Sequence, residues 1–486
     1  MRKYILIAFI ILGANILYAQ SFEERFRSFQ QSVEKEYTSF RNQANKQYAD
    51  FMRQAWKTYY SLPATPATKD ESHPIPPYDE QQAEPMNDLQ ESENIQPTTI
   101  VPQPQPIEAI NPPATDAFAV YHSCTFDFYN TPCEVTMPDT LYRLVGATNG
   151  EVATAWEQFS NGQYDGLLYD CLQLREQLAL CDWGYLNLLY KVATTVYQST
   201  CNEATLLCGW LYCQSGYKMR FALDKETLQL LYASDFLIFN KLSFMLDNQR
   251  YYKFLQTSDT LQICSSFYPK EQSLSLHITK TPRFKSDYYD ARHMQSKRDS
   301  NMVVSVQENR NLLDFYNTYP DGIINNDQFT RWERYANTPL SEDTKQMIYP
   351  KLRKQIAKLS SHDAILKLLN FVQTTLEYKL DTDVWGEDRV FFADETLYYP
   401  YADCEDRAIL FSRLVRDLTD MPVALVYYPG HLATAVNVSD DQVQGDYLLY
   451  DNKKFIVCDP TYINAPAGKT MPEMDNSTAK VAFLSK

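Results

Sequence analysis

The sequence predicts an α+β protein built from several domains. Three observations carry that reading. The 486 residues, 44% of them hydrophobic, are enough for two or three cores. A proline-rich stretch breaks the chain after an N-terminal periodic segment. Near the C-terminus, a helical pattern is followed by β-prone runs, the order of an α+β unit.

Taken in order, residues 1–19 read as a secretory signal peptide: Met-Arg-Lys, an apolar run from Tyr4 to Leu17, then Tyr-Ala-Gln-Ser with cleavage near Ala19. Residues 20–61 carry Phe22, Phe26, Phe29, Val33, Tyr37, Phe40, Ala44, Tyr48, Phe51, Ala55 and Tyr59, stepping by 4, 3 and 4. This eleven-residue repeat keeps one apolar stripe on a long amphipathic helix. Self-association through residues 21–60 as a coiled coil is the preferred use of that stripe, with docking on the chain's own domains as the alternative. Residues 62–115 hold twelve of the 25 prolines among Gln, Glu, Asp and Thr, and read as a disordered tether.

Residues 116–268 form a helical or α+β domain. The alternation at Cys124-Thr-Phe-Asp-Phe-Tyr predicts a strand, and helical patterns cover Leu141–Ser160 and Leu167–Val196. Two stretches of this domain have later counterparts. The segment from Cys201 resembles the one from Cys404, and Leu246-Asp-Asn-Gln-Arg-Tyr-Tyr-Lys-Phe echoes Tyr450-Asp-Asn-Lys-Lys-Phe-Ile-Val. A degenerate copy of the C-terminal fold is one reading and chance similarity the other; with no His between His122 and His277, such a copy lacks a base. Residues 269–339 alternate apolar and polar positions, as in Leu-Ser-Leu-His-Ile and Met-Val-Val-Ser-Val, and predict a β-rich segment such as a small sandwich. In the last region, 340–486, helices over Lys345–Lys358 and His362–Tyr378 lead into the chemically richest part of the chain.

The net charge of -16 disfavours nucleic acid and anionic membrane as partners. No later run reaches the 18 apolar residues of a membrane span, so the mature product is expected to lack a transmembrane segment and to be exported, periplasmic or extracellular. Export bears on the ten cysteines: Cys124 with Cys133, and Cys171 with Cys181, are close enough to pair in an oxidising compartment, although connectivity is not readable from sequence. No Cys shows the spacing of a zinc site, and neither a metal nor a cofactor is expected.

Cys404 opens a segment, Glu405 to Thr419, whose apolar residues recur at helical spacing, so its sulfur is expected at a helix N-terminus, where the macrodipole favours a thiolate. Asp403, Glu405 and Asp406 oppose that charge, which would make His431 the necessary ion-pair partner. His431, the only His after Cys404, begins a β-prone run to Val438, and Asp459 ends another from Tyr447. Neighbouring strands facing the helix would bring together a nucleophile, a base and an orienting carboxylate. An isolated Cys is most often a small buried hydrophobe and an Asp-Pro a turn. The conjunction of three such residues, each in a fitting local context, is what points to catalysis.

Asp-Cys404-Glu-Asp-Arg-Ala, His431-Leu-Ala-Thr-Ala-Val and Cys-Asp459-Pro-Thr-Tyr resemble, in motif, order and spacing, the transglutaminase-like superfamily, in particular its secreted bacterial members. The resemblance covers residues 340–486. It implies a papain-like domain with Cys404 as nucleophile, His431 as base and Asp459 as orienting acid. It also implies acyl transfer through a thioester on protein or peptide substrates, with hydrolysis favoured over amine cross-linking. An upstream aromatic near the oxyanion hole is implied too, with Trp385, Tyr398 and Tyr399 as candidates. The rival reading is a non-catalytic cell-envelope scaffold that retains a vestigial triad.

Overall fold

The computed structural model describes residues 38–54, 56–67, 79, 122–255, 258–438 and 444–485. The signal-peptide segment, the first part of the periodic segment and most of the proline-rich tether lie outside these residues. Two units of mixed α and β structure are joined by residues 269–339.

The C-terminal unit starts from the helix Cys404–Thr419, here called the cysteine helix. Its apolar side, Ala408, Phe411, Leu414 and Val415, is fully buried. Five strands follow: Val423–Tyr428, His431–Asn437, Tyr447–Tyr450, Lys453–Cys458 and Lys480–Phe483. Numbered along the chain, they lie side by side in the order 5-1-2-4-3, antiparallel throughout. The third and fourth join in a hairpin in which Asp451 and Asn452 both take positive φ, 48° and 55°. Those short polar side chains tolerate the left-handed conformation that a two-residue hairpin turn matching the strand twist needs. The helices Glu342–Ile356 and Ser361–Thr375 pack their apolar faces around the cysteine helix, as the sequence pattern predicts.

The N-terminal unit repeats this plan. The helix Asn202–Gln214 is followed by strands Met219–Asp224, Thr227–Ala233, Ser243–Leu246, Gln249–Lys253 and Thr260–Cys264. They too lie in the order 5-1-2-4-3 and run antiparallel, and the third and fourth meet at Asp247 and Asn248 with φ of 48° and 63°. The echo between the two Asp-Asn segments is therefore the same hairpin at the same place in the same topology. Helices Asn149–Phe159, Asp165–Gln177 and Asp182–Tyr197 cover the other side of Asn202–Gln214, which is buried from Ala204 to its end. The predicted single helical run Leu167–Val196 is broken at Ala179, whose φ is 50°.

Four sequence expectations need correction. The stripe of residues 20–61 does not continue as helix to its end: residues 38–52 are helical, and Trp56–Tyr60 is a strand paired with Thr260–Cys264 at the sheet edge. An aromatic segment beside an open edge gains ladder hydrogen bonds that a helical extension would forgo. Within residues 38–52 the apolar face docks on the chain's own domain rather than being left for a coiled-coil partner. Tyr48 packs edge-on to Trp156 at 4.8 Å, and Asn45 accepts from Trp156 Nε1 and Gln214 Nε2 at 3.1 and 2.9 Å. Phe40 and Phe51 remain exposed.

Second, the tether is placed at its start and at one later point: Leu62 donates to the Ser243 carbonyl, Thr65 accepts from Asn240, and Asp79 bridges to Ile463 in the other unit. Third, residues 269–339 hold no sandwich. The described elements are a two-stranded ribbon, Arg292–Gln295 with Val303–Val306, a two-residue strand Gly322–Ile323 paired with Leu237–Ile238, and the helices Arg310–Asn317 and Phe329–Asn337. The alternating Leu274, Leu276 and Ile278 instead insert side chains into the N-terminal core from irregular extended backbone. Fourth, all ten cysteines are free thiols. In the hairpin His122–Phe128 with Thr131–Met137, Cys124 stands opposite Val135 and Cys133 opposite Phe126. That leaves the two sulfurs diagonal, roughly 7 Å apart at Cα or more, beyond easy disulfide reach.

Candidate active site

The strand order puts His431 and Asp459 on neighbouring strands. Thr434 stands opposite Cys458 in the ladder, so Asp459, just past its strand, reaches back toward His431 at the start of the other. His431 Nε2 donates to Asp459 Oδ2 at 2.7 Å, and both side chains are buried. The other carboxylate oxygen, Oδ1, accepts the backbone N–H groups of Thr461 and Tyr462 at 2.8 and 3.2 Å, which fixes the acid's orientation. That bond sets the imidazole tautomer: the proton sits on Nε2, and Nδ1 offers its lone pair. Nδ1 is buried and makes no hydrogen bond among the described residues.

Cys404 is the first residue of its helix, with Asp403 as N-cap in extended conformation. The backbone N–H of Leu432, next to His431, donates toward the Cys404 sulfur. The thiol itself donates to Glu405 Oε2 at 3.0 Å and is not hydrogen bonded to His431. The expectation of a thiolate at the helix start is thus met by an opposing environment. Burial first, and then the Glu405 and Asp403 carboxylates, hold the thiol well above its ordinary range. In this structure Cys404 is a neutral thiol, with only 7% of the residue exposed.

Acidic groups gather beside it. Asp381, Asp403 and Asp406 bring one oxygen each within 4.8 Å of one another, as do Asp381, Asp388 and Glu405. So many carboxylates cannot all ionise in a buried space. Burial and then Glu405 push Asp381 up to about 8. Asp403 and Asp406 are raised well above the carboxylate range, by burial first and then by their acidic neighbours. Burial thus favours the protonated form at Asp381, Asp403 and Asp406. The cluster is anchored by backbone N–H groups of Arg389 to Asp381 at 2.7 Å and Phe391 to Asp406 at 2.9 Å.

Three site residues were not identified from the sequence. Gln373 Nε2 donates to the carbonyls of Asp459, Tyr462 and Ala465 at 3.0, 2.8 and 3.2 Å, pinning the loop that carries the acid. The buried Arg407 guanidinium spans the carbonyls of Ala402, Gln373 and Leu376, tying the cysteine helix to the same support. Tyr378 lies beside Cys404: its hydroxyl is raised by burial and then by Cys404, Asp403 and Glu405, so it stays protonated as a donor. The Arg407 guanidinium sits over its ring at 5.5 Å. The aromatics proposed from the sequence are seen in contact with other rings. Trp385 packs on Phe391 and Tyr399, and Tyr398 pairs with Tyr289.

A cleft of about 560 Å³ lies at the other end of the cysteine helix, lined by Tyr349, Arg353, Arg413, Arg416 and Asp417 among others, and contains none of the three predicted catalytic residues. Among the described residues no helix is long and apolar enough to cross a membrane. No family model, curated protein or solved structure matches this chain.

Proposed function

We propose that the C-terminal unit is a transglutaminase-like, papain-like thiol enzyme of an exported protein, which attacks amide bonds of proteins or peptides through Cys404, His431 and Asp459. The observation that carries the reading is the buried His431–Asp459 bond, which leaves Nδ1 as an unpaired base one residue from the backbone N–H that meets the Cys404 sulfur. A base whose second nitrogen is oriented by a carboxylate, beside a thiol at a helix start, is the working arrangement for nucleophilic acyl transfer. The thiol proton passes to His431 Nδ1, and the sulfur attacks the amide carbonyl. The imidazolium returns that proton to the departing amine, and a thioester remains. Water, deprotonated by His431, then releases the acid. The Tyr378 hydroxyl and the backbone N–H of Cys404 are the donors assigned to the oxyanion.

The shared 5-1-2-4-3 strand order, the matching Asp-Asn hairpins and the preceding helix support the N-terminal unit as a degenerate copy. There, Asn202 occupies the place of Cys404. It is the first residue of its helix, and its Oδ1 accepts the N–H of Leu228, second on its strand as Leu432 is on its own. By ladder register Thr227 stands for His431 and Leu255 for Asp459, so the copy has no nucleophile, base or acid.

Incubation with a pool of cell-envelope peptides and a labelled primary amine, beside a Cys404→Ala control, tests the reading. New cleavage termini that depend on Cys404 are expected. Amine incorporated at glutamine would reassign the reaction to cross-linking. No product at all would favour the scaffold reading, to which the deep burial of the triad also belongs.

A further inference from the structure

We propose that Glu405 is a positioning residue that latches Cys404 in a resting state: its carboxylate accepts the thiol proton's hydrogen bond and keeps the sulfur off His431. The proposal rests on the catalytic reading of Cys404 and His431 and adds a control to it.

Three observations support the latch. The single hydrogen bond donated by the thiol goes to Glu405 Oε2 at 3.0 Å, although a buried imidazole nitrogen on an adjoining strand is unpartnered. Leaving a buried acceptor orphaned is unfavourable, so the bond made to Glu405 outcompetes one to His431 in the resting site. Glu405 is also the residue where the thiol and the acidic cluster meet: it belongs with Asp403 and Cys404 in one close group and with Asp381 and Asp388 in another. Finally, Asp403 Oδ1 and Asp406 Oδ2, which flank the latch on the helix start, are buried without hydrogen-bond partners among the described residues.

The charged and titratable groups around Glu405 come from every side. Asp403, Cys404 and Asp406 belong to the helix start, Asp381 and Asp388 to the preceding segment, and Tyr378 to the chain after the helix Ser361–Thr375. The nearby cations are engaged elsewhere, Arg331 with Asp321 and Asp388, Arg389 with Glu395, and Arg407 with backbone carbonyls. Among the described residues no cation pairs with Glu405. Release requires the thiol to turn from Glu405 to His431. The S–H bond then breaks as the Nδ1–H bond forms, giving thiolate and imidazolium with no net change of charge.

The test compares the rate of Cys404 alkylation by iodoacetamide from pH 5 to about 11 in the full chain, by mass mapping, for wild type, Glu405→Gln, Glu405→Ala and His431→Ala. Removing the like charge and the hydrogen-bond acceptor should move the pH midpoint of labelling down by about one unit and speed labelling near neutral pH about tenfold. Glu405→Ala should do the same, which separates loss of the latch from any bond the new amide makes. Unfolding midpoints within a few degrees of wild type confirm that the variants report on the site. An unchanged midpoint in both Glu405 variants, with labelling still slowed by His431→Ala, would overturn the latch and leave the catalytic pair standing. Labelling indifferent to His431 would overturn the pair itself.

Discussion

The two helix-plus-sheet units of this chain share a strand order and differ in what the helix just before each sheet carries inward. Asn202–Gln214 buries Ala204, Leu206, Leu207, Cys208, Trp210 and Leu211 and brings in few polar side chains. Its Gly209 lets the helix lie so close to the sheet that a Cβ there would stand 2.5 Å from the Phe221 ring. The cysteine helix buries Cys404, Asp406, Arg407, Ser412, Arg413 and Arg416 along with its apolar face. One helix has been optimised for packing. The other tolerates buried charge because each group is tied to a carbonyl, an amide or another acid, at the entrance to a site. Local inconsistency of that kind is what function leaves in a fold.

The largest expected effect that sharpens this contrast is on turnover. Asp459→Asn should lower cleavage of a responsive peptide by roughly 10²–10⁴-fold, because the amide cannot hold the Nε2–H tautomer as the carboxylate does. Leu255→Asp, at the equivalent place in the other unit, should leave turnover unchanged. A loss in the second variant as large as in the first would mean that the N-terminal unit takes part in catalysis.

Next comes stability. Arg407→Met strands three buried carbonyl acceptors and should destabilise the C-terminal unit by about 3 kcal/mol. Hydrogen exchange resolved by segment would show the loss in Cys404–Thr419 and not in Asn202–Gln214.

The units should also respond to pH in opposite senses. His277, in the strand-following segment of the N-terminal unit, is pushed down to about 4 by burial and then Arg334. Between about pH 6.5 and 4 the unfolded chain binds a proton that the folded one refuses, so this unit loses stability as pH falls through that window. Asp381 is pushed up to about 8, and between about pH 4 and 8 the folded state holds a proton that the unfolded one releases. The C-terminal unit therefore loses stability as pH rises. Exchange protection at pH 5 and pH 8 should cross over between the units. Parallel trends would break the comparison, and His277→Gln should flatten the N-terminal one.

The smallest effect is at Asp79, whose Oδ1 accepts from Asn464 Nδ2 at 2.8 Å, two residues beyond the backbone that orients Asp459. Asp79→Ala should change stability by less than about 1 kcal/mol, since the bond to Asn464 is partly exposed. A loss of several kcal/mol would mean that the proline-rich tether is a structural part of the unit.

Cys404, His431 and Asp459 stand out as candidates in the sequence because each has a local signature: a polar-flanked Cys at the start of a helical pattern, a His at the start of a β-prone run and an Asp at the end of another. Their supports were not. Gln373 and Arg407 act on carbonyls as much as 92 residues away in the chain, and Tyr378 meets Cys404 only through tertiary packing. The Asp-Asn hairpins pointed to the strand order that the two units share, but the sequence matched the segment from Cys201 with that from Cys404. The structure puts Asn202 there instead, one residue on, because register is set by which side chain meets the N–H of Leu228. The Trp56–Tyr60 strand was hidden by an eleven-residue period that continues through it, and an open sheet edge decided its conformation. In 269–339, alternation reported burial of Leu274, Leu276 and Ile278 without a ladder to pair them.

On the proposed reading, Cys404 and His431 form a working acid-base pair at one of two otherwise matching helix starts. Placing a thiol at the other, by Asn202→Cys, and following alkylation of residues 404 and 202 in the same molecule against pH measures that directly. Cys404 labelling should have a His431-dependent component, lost in His431→Ala, while the thiol at position 202 should titrate as a simple thiol, indifferent to His431. Identical pH profiles at the two positions, unchanged by His431→Ala, would contradict it.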